Sequence, residues 1–536
     1  MEKTRDGNEK PQPPAVVDAP DGSANEGPTV PAAVQQNVRP ASEAEYMSGW
    51  RLYMLTAGIW ISLFLSTLET TIVSTSLVSI ADSLSGCEER NWVVTAYFLT
   101  YTGIILRAFQ GIGGSGIYSM VLFLAPKLVP MTEYGKYIGI ISSVFALASV
   151  TGPLVGGAIS SNTSWRWVFL LNGPPGFLAI LIIATFLPAS EVEAGSGIRA
   201  RLRAKFSNKT LRRVDILGAI SLLAASVLLI FALESGGTRY KWTSGTIIST
   251  FVLSGLSWIV FIFWETYLER TTSTQEPVFP MGLLKNRQLA SMMFTTFFIG
   301  FPFVSILFLI PQHAQAVYGM SPVRASLSVL PLLLTSPAAT VASGVLTSTF
   351  NVPPSYLILI GAVIQAIAVG LAITIPLTGY GISAAQYGFE SMMGVGFGLT
   401  LSTALTLGQL LVSKEDAGVV MGALTQIRVL GGTVALAICS AILSNHLRDT
   451  LNGVLTPTEF HEITESLGVI DRLGPDRGAW VRLAFAEGYR KQFQVLTGFS
   501  GAAFLAALFL ISRKPLNVRD VAKQRGDAAN GSSSSS

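Results

Sequence analysis

Long runs of apolar residues with almost no charge recur along this chain, and they limit its possible folds more than any other feature. Of its 68 Asp, Glu, Lys and Arg residues, 43 fall in four segments, residues 1–51, 188–215, 444–492 and 513–536. The runs between these segments reach the length of about 20 residues that a helix needs to cross the hydrocarbon core of a bilayer. The sequence therefore predicts an all-α polytopic membrane protein.

Twelve such runs can be counted. They lie near residues 51–79, 92–126, 137–160, 167–187, 216–234, 245–266, 289–311, 325–349, 355–376, 384–412, 418–443 and 494–512. If the N-terminus is cytoplasmic, Lys and Arg are concentrated in the inside connections, as the positive-inside rule requires. This topology predicts that both termini are cytoplasmic.

The division of the chain follows from these runs. Residues 1–48 are rich in Pro, Ala, Glu and Asn, which predicts a disordered cytoplasmic tail. The parts that follow are an N-terminal bundle over 49–187, a basic cytoplasmic loop over 188–215, two further spans with their loop over 216–287, a C-terminal bundle over 288–512 that includes an extracellular loop over 444–492, and a cytoplasmic tail over 513–536.

The rarer residues exclude several classes of protein. Two cysteines and three histidines, scattered along the chain, offer neither a disulfide framework nor a metal cluster, so no metal and no cofactor is predicted. The net charge of +4 is spread over several loops, which argues against nucleic acid as a partner. No GxxxxGK[ST] sequence is present to bind nucleotide phosphates, so neither an ATP-driven pump nor an enzyme is expected.

Glu69 is the most informative of the few charges inside apolar runs. It lies in LETTIVSTSL in the first span, where a carboxylate costs about 2.5–3.5 kcal/mol on an insertion scale. A carboxyl group between helices can bind and release a proton as its exposure changes, so we expect proton or substrate coupling. The structural alternative is a helix-packing hydrogen bond to Thr70 or Thr71.

Two segments of the first half combine glycines with polar residues. RAFQGIGGSGIYSM matches the GxGxxG pattern of dinucleotide-binding folds, but no strand precedes it, so we interpret that match as accidental. In a membrane its glycines permit close helix packing and leave Arg107 and Gln110 facing the bundle interior. ALASVTGPLVGGAI predicts a kinked, closely packed span. The residues to which we assign helix packing are Gly111, Gly152, Pro153, Gly156 and Gly157.

The second half has two embedded charges, Glu390 and Arg428. They lie on different spans beside Gly-rich segments, and they either pair with each other or each bind substrate or backbone carbonyls. For the aromatic run FTTFFIGFPF, packing or contact with lipid is favoured over lining a cavity. WVRLAFAEGYRKQF, before the last span, predicts an amphipathic segment on the membrane surface.

One N-glycosylation sequon is placed outside the cell. Asn162-Thr163-Ser164 lies in an outside turn, so Asn162 is the predicted glycosylation site. The sequons at Asn208 and Asn530 are placed in the cytoplasm by the same topology.

The order of the motifs along the chain is informative as well. LETTIV, RAFQGIGGSG, GPLVGG with SWRWVFLLNGPPG, and ALESGGTRYKW with FIFWE follow one another, and then LIPQHAQAVYGMSP, LPLLLTSP, FESMMGVGFGLTLS and TQIRVLGGTVALAICSAIL. From about Leu68 to Leu447 this series resembles the fourteen-span drug:proton antiporters of the major facilitator superfamily, most closely the fungal exporters of toxins and other small molecules. GPLVGG resembles the motif associated with antiporters. The acidic residue of the first span is usually Asp in that family, so Glu69 is a conservative departure.

The resemblance also implies that one helical hairpin is missing. The family's gating motif of the Gly-Asp-Gly-Arg type, between its second and third spans, has no counterpart here. NWVVTAYFLTYTG, which resembles the second span, runs directly into IILRAFQG, which resembles the fourth. The loss is about two spans, on the order of 40 residues. We expect an alternative or mispredicted splice junction as its source.

The function implied by the resemblance is proton-coupled efflux of a small hydrophobic molecule, such as a drug, toxin or secondary metabolite. The implied fold is two helical bundles joined by two linking spans, which alternate the access of a central site. Glu69 is then the proton carrier and Arg107 its electrostatic partner, while Gln110, Glu390 and Arg428 belong to the substrate cavity. The alternatives are an uptake carrier, for example of a siderophore, and a non-transporting protein disabled by the missing hairpin.

The expected partners are protons, a small-molecule substrate and the lipid bilayer, and we expect a monomer. The plasma membrane is the default location, with a vacuolar or vesicle membrane as the alternative.

Overall fold

The described part of the chain is helical, as the apolar runs predict. The structure is a computed structural model, and it describes residues 49–85, 166–187 and most of 213–524, with scattered helical positions between 111 and 159. Within 213–524 the description omits residues 238–239, 272–274, 378–380, 414–415, 457, 461–462, 464–469 and 471. In these described ranges isolated bridges occur but no strand, so the fold is all-α.

Twelve α-helices have defined bounds within the described ranges. They are α1 (Trp50–Ser85), α2 (Trp167–Leu170), α3 (Gly173–Phe186), α4 (Ile216–Ser235), α5 (Gly245–Arg270), α6 (Arg287–Tyr318), α7 (Pro322–Leu327), α8 (Leu330–Ser348), α9 (Pro354–Ala372), α10 (Ala384–Leu411), α11 (Ala417–Leu451) and α12 (Pro475–Leu508). A 3-10 helix, Met281–Lys285, precedes α6. Eight helical segments are long and apolar enough to cross a membrane, in α1, α4, α5, α6, α7 with α8, α9, α10 and α11.

Capping residues mark the ends of several of these helices. The Asp215 carboxylate accepts a hydrogen bond from the backbone N–H of Gly218 at the start of α4. The Ser244 hydroxyl does the same for Ile247 in α5. These contacts satisfy N–H groups that have no partner within the helix. α6 ends at Gly319, whose φ of 63° is the left-handed conformation that favours glycine.

Helices α6 and α8–α12 form the C-terminal bundle. α10 packs between α8 and α9, and α6 packs against α11 and α12. Small residues permit the close approach: a Cβ atom added to Gly361 of α9 would lie 2.7 Å from the carbonyl oxygen of Gly396 in α10. Because lipid tails are as apolar as the side chains, helices in a membrane associate largely through such tight contacts.

The connections of the bundle gather at two opposite ends. At one end the Arg519 guanidinium donates to the carbonyl of Thr349 at 2.8 Å, so the chain beyond α12 meets the α8–α9 turn. At the other end Arg482 of α12 donates to the carbonyl of Ala316 at 3.2 Å, beside the end of α6. This alternation is what successive antiparallel helices require.

The structure corrects the sequence prediction around the last span. α11 continues to Leu451 and α12 begins at Pro475, so the connection is shorter than the predicted loop over 444–492. WVRLAFAEGYRKQF is not a surface segment but part of α12, and its Phe485 and Tyr489 are buried in the bundle. Its charges are tolerated because Arg482 and Arg490 reach carbonyl groups at the ends of neighbouring helices.

The linking pair, α4 and α5, is packed differently. The two helices lie side by side, with the Ser254 hydroxyl donating to the carbonyl of Ala225 at 2.8 Å. Most of their large apolar side chains point outward, and Phe263 is 72% exposed. Such a surface suits contact with lipid tails. Elsewhere in the first half α1 packs against α3, where Gly58 faces Ile182.

Candidate functional site

Three helices of the C-terminal bundle, α6, α10 and α11, surround a crevice. It is lined by Thr296, Ile299, Phe397, Thr400, Leu401, Ala404, Leu405, Leu424, Thr425 and Arg428. The space inside the crevice that a water-sized molecule can occupy is about 20 Å³. Sites for drug-sized ligands measure roughly 300–1,000 Å³. The crevice is therefore closed to substrate in this conformation.

Glycines bring the helices of the crevice together. A Cβ atom on Gly300 of α6 would collide with the carbonyl oxygen of Arg428, and one on Gly431 of α11 would collide with that of Phe297. The backbones of α6 and α11 are thus in direct contact. The glycines of the segment TQIRVLGG permit this contact, which positions Arg428 beside α10.

Phe397 and Arg428 both line the crevice, and Phe303, which is not a lining residue, stacks on Phe397. The rings of Phe303 and Phe397 stack with 3.3 Å between their centroids and an angle of 4° between their planes. The Arg428 guanidinium lies 5.7 Å from the centroid of Phe397, which is within the range of a cation–π interaction. An aromatic face beside a cation can bind planar apolar molecules that carry an electron-rich or acidic group.

A hydroxyl group in the crevice was not predicted from the sequence. The Oγ1 atom of Thr425 is buried and has no hydrogen-bond partner among the described atoms. By contrast, Thr400 donates to the carbonyl of Phe397 at 2.8 Å. Thr425 precedes Arg428 by one helical turn, so the i, i+3 spacing is the signal that would have found it.

Glu390 lies on the same helix as Phe397, about two turns earlier, and is not among the lining residues. Its carboxylate accepts a hydrogen bond of 2.9 Å from the Gln386 amide, and both side chains are almost fully buried. The Oε2 atom of Glu390 has no partner among the described atoms. The described contacts include no ion pair between Glu390 and Arg428, and that each of them binds substrate or a backbone carbonyl stays a prediction.

Glu69 lies half-buried on α1, directly after the buried Leu68. One apolar cluster joins Leu63 of α1 to Leu405 of α10 and Met421 of α11. α1 is therefore in the same core as two helices of the crevice. Glu69 lies about two helical turns after Leu63, and Arg428 lies about two turns after Met421. The two charged residues are therefore at similar distances along their helices from the shared cluster.

Of the other candidate residues of the first half, some are described by the structure and others are not. Gly111 is helical and exposed, and no described atom lies within 4 Å of the position of a Cβ atom there. Gly152 and Gly156 are helical and buried. Arg107, Gln110, Pro153, Gly157 and Asn162 lie outside the described residues.

The aromatic run of α6 serves mainly in packing, as predicted. Phe301 is buried and its ring centroid lies 4.2 Å from that of Phe499 in α12, whereas Phe294 is 61% exposed on the outer face. Phe303 is the exception, because it stacks on Phe397 of the crevice wall. Within the described ranges no group of three or more His, Cys, Asp or Glu side chains is arranged to hold a metal ion.

The sequence profile described as the Major Facilitator Superfamily matches residues 101–436. The chain belongs to the major facilitator superfamily. The MFS-type transporter FPY5 of Fusarium mangiferae is 41% identical over 551 aligned positions, which cover 94% of this chain and 92% of that protein. The efflux pump aflT of Aspergillus parasiticus is 25% identical, with 78% of this chain and 86% of that protein covered.

Among solved structures, an inward-facing bacterial homologue of the human lysosomal transporter Spinster aligns with a TM-score of 0.41 and 14% identity, over 87% of this chain and 100% of that one. Membership of the superfamily makes this chain a multi-pass membrane transporter of small molecules, with fungal efflux pumps among its relatives, and not an enzyme. The all-α major facilitator fold predicted from the sequence is thereby confirmed.

Proposed function

We propose that this major facilitator exports a small hydrophobic molecule in exchange for protons. The observation that carries the proposal is the crevice of α6, α10 and α11, in which the Arg428 guanidinium lies over the ring of Phe397. The relatives named as efflux pumps support the direction of transport. The resemblance of GPLVGG to the antiporter motif supports the same direction.

Glu69 is the proposed proton carrier. It is half-buried in a span and close in depth to the crevice, as judged from the apolar cluster shared by α1, α10 and α11. An ionised carboxylate is costly in that surrounding, so Glu69 binds a proton when it is shielded from water. Proton binding and substrate binding at neighbouring sites then compete as access alternates. Arg107 is the proposed electrostatic partner of Glu69.

The substrate is proposed to bind where the crevice opens. The Arg428 guanidinium and the free hydroxyl of Thr425 supply polar contacts, and Phe397 supplies an aromatic face. Gln110 and Glu390 are proposed to extend this site. Because the crevice is closed here, binding requires the bundles to rock apart, with α4 and α5 linking them.

The missing hairpin is part of the proposal. The alignment with the Fusarium mangiferae transporter spans 551 positions, more than the 536 residues of this chain, although it uses 94% of them. It therefore contains gaps on the side of this chain, which supports the absence of a segment that the relative has. A transcript that encodes no additional hairpin between Thr102 and Arg107 would refute a splicing origin.

The coupling can be tested in inside-out membrane vesicles with an acidic lumen and a fluorescent hydrophobic dye as the probe. Dye accumulation should fall at least about tenfold when the pH gradient is collapsed or in Glu69→Gln, since the variant cannot carry the proton. Exchange of dye for dye across the same membrane should persist in Glu69→Gln, because it needs no proton.

The matched control is Glu269→Gln. Glu269 is an exposed carboxylate at the end of α5 that accepts hydrogen bonds from the backbone N–H of Gly282, and its replacement should leave accumulation unchanged. Accumulation that survives both collapse of the gradient and Glu69→Gln would exclude proton coupling through this residue.

A further inference from the structure

Two carboxyl groups meet inside the protein at one end of the linking pair. Asp215 is the N-cap residue of α4, and Glu265 lies in the last two turns of α5. Their exposed fractions are 2% and 0%. Charged residues are almost never buried to this degree unless they are paired.

One oxygen of each carboxyl group has donors. Asp215 Oδ1 accepts from the backbone N–H of Gly218 at 2.9 Å and from the indole N–H of Trp264 at 2.8 Å. Glu265 Oε2 accepts from the backbone N–H of Phe279 at 3.3 Å, in the loop after α5. These contacts hold both side chains in one orientation and join α4, α5 and that loop.

The second oxygen of each group has no donor. Asp215 Oδ2 and Glu265 Oε1 are buried, and neither has a hydrogen-bond partner among the described atoms. Both point at the same place, because a Cβ atom added to Gly218 would collide with the two of them. The two oxygens therefore lie side by side in the space that the absent side chain of Gly218 leaves open. Two acceptors that face each other can be satisfied together by a single hydrogen atom.

The other charged groups around this site are engaged elsewhere. Arg213 forms an ion pair with Glu276, and this contact raises the pKa of the Arg213 guanidinium. The Glu269 carboxylate binds the backbone N–H of Gly282. Asp416, at the start of α11, accepts a hydrogen bond from a loop hydroxyl. The remaining described cations of this end are exposed: Arg270, Lys285, Arg287, Arg513, Lys514, Arg519 and Lys523. No cation in the described residues therefore neutralises the carboxyl pair.

We infer that Asp215 and Glu265 form a proton-binding site, in which one proton is shared between Asp215 Oδ2 and Glu265 Oε1. The proton converts two buried like charges into one carboxyl–carboxylate hydrogen bond, and the remaining charge is stabilised by the indole and backbone N–H groups. Loss of the proton leaves two carboxylates in contact without solvent. The protonated site thereby stabilises the contact between the start of α4 and the end of α5, and loss of the proton weakens that contact.

The inference does not depend on proton-coupled export. Glu69 and the crevice are on α1, α6, α10 and α11, whereas this site is on the linking pair. Its chemistry makes stability depend on pH in one direction: the contribution is present at low pH and is lost as the pH rises and the shared proton dissociates.

Amide substitutions distinguish a shared proton from an ordinary polar contact. In Glu265→Gln the amide N–H donates to Asp215 Oδ2 while the amide oxygen still faces Phe279. In Asp215→Asn the new N–H₂ donates to Glu265 Oε1 while its oxygen keeps the Gly218 and Trp264 donors. Each single variant supplies a permanent hydrogen atom in place of the proton. The double variant places two N–H₂ groups against each other, with no acceptor between them.

The test is thermal denaturation of the purified full chain in detergent between about pH 5 and about pH 9, because the stabilisation by the bound proton falls from the ordinary carboxyl pKa of about 4 up to the pKa of the buried pair. The melting temperature of the wild type and of the control Glu269→Gln should fall by several degrees as the pH rises. That of Glu265→Gln and of Asp215→Asn should change less than half as much. The double variant should melt below both single variants at every pH.

Two outcomes would overturn the inference. One is a pH dependence in both single variants that is parallel to that of the wild type, and the other is a double variant as stable as the single ones. A second readout covers a variant that does not fold: the infrared difference spectrum between the wild type and the single variant that does fold should contain one protonated carboxyl group, and that difference should disappear at high pH. Dye accumulation in vesicles that persists in Glu265→Gln and fails in Glu69→Gln separates this site from the coupling site.

Discussion

Helix α10 of the C-terminal bundle is comparatively polar and buried, whereas the helices of the linking pair are apolar and largely exposed on the surface of the protein. α4 is the most apolar of the eight candidate spans and α10 the least, yet 28% of the apolar window of α4 is buried in the protein against 83% for α10. In a water-soluble protein the more apolar helix would be the more deeply buried one. In a bilayer an apolar side chain is already in a favourable solvent, so burial in protein is reserved for small and polar residues that make close contacts.

The polar residues of the two regions are distributed accordingly. Hydroxyl groups and glycines occupy the buried faces of α10 along its length, with Thr400, Ser402 and Thr403 all nearly inaccessible. In the linking pair the buried carboxyl groups, Asp215 and Glu265, lie together at one end. The buried polar groups of α10 are thus spread along the helix, whereas the buried charged groups of the linking pair meet at one end of it.

The largest effect should come from enlarging a small residue of α10. In Gly398→Val the new side chain collides with the carbonyl oxygen of Ser336 and with Ala339 in α8, and backbone atoms cannot move aside. We expect a loss of about 3 kcal/mol of stability, the upper part of the usual range for overpacking. Thermal denaturation followed by gel filtration measures it.

The control lies on the linking pair. A Cβ atom added to Gly255 of α5 would have no atom within 4 Å, so Gly255→Val should leave the melting temperature unchanged or raise it. If both valines destabilise the protein equally, the contrast between the two regions is wrong.

A smaller effect is expected from removing a hydroxyl group between two helices of the bundle. The Thr340 hydroxyl of α8 is shared between the carbonyl oxygen of Ser336 in α8 at 2.9 Å and that of Gly398 in α10 at 3.2 Å, and Thr340→Val removes the contact with α10 without changing the shape of the side chain. We expect a loss of about 0.6 kcal/mol, the average for such contacts in a membrane protein. Thr266→Val is the matched control, because Thr266 bonds only within α5 in the described contacts; a loss as large as that of Thr340→Val would contradict the assignment.

The smallest effect should be found in the connection between α11 and α12, which lies outside both regions. Glu459 accepts hydrogen bonds from the backbone and hydroxyl of Thr456 and from Arg477, and these contacts lower the pKa of its carboxyl group to about 2. Because the pKa is depressed, the contribution is present above the ordinary Glu value of about 4.3 and is lost as the pH falls toward 2.

Glu459→Gln should therefore leave the melting temperature unchanged while it speeds hydrogen exchange at the Thr456 amide several-fold near neutral pH. The difference from the wild type should shrink as the pH approaches about 2, since the native carboxyl group is then protonated as well. A fall in melting temperature as large as that of Gly398→Val would show that this connection, and not the glycine contacts, limits the stability of the bundle.

The helices themselves are largely predictable from the sequence. The apolar pattern predicts a span over 216–234 and α4 covers Ile216–Ser235, because a helix in lipid must satisfy its own backbone and needs only sufficient apolar length. The same pattern predicts that the span of α6 ends near residue 311, whereas the helix continues to Tyr318 through Pro302 and Pro311. Neighbouring helices make such prolines tolerable in a bundle, and no local pattern reports those neighbours.

The site is predictable in part. Glu390 and Arg428 stand out because charges are rare in spans, but the sequence leaves open whether they pair, and the structure has Glu390 beside Gln386 and Arg428 beside Phe397. Thr425 and Phe397 give no signal of their own, because hydroxyl and aromatic residues are common in spans. Their role depends on which faces of α10 and α11 meet.

The sequence by itself determined that the chain is a helical membrane transporter, where most of its spans lie and which charges are embedded in them. These properties are local, since they depend on apolar length and on hydrogen bonds within each helix. Only the tertiary structure decided which polar groups become partners. From the sequence, Asp215 has the position of a helix cap and Glu265 that of a residue near the end of a span. Their carboxyl groups meet because Gly218 has no side chain that would keep α4 and α5 apart.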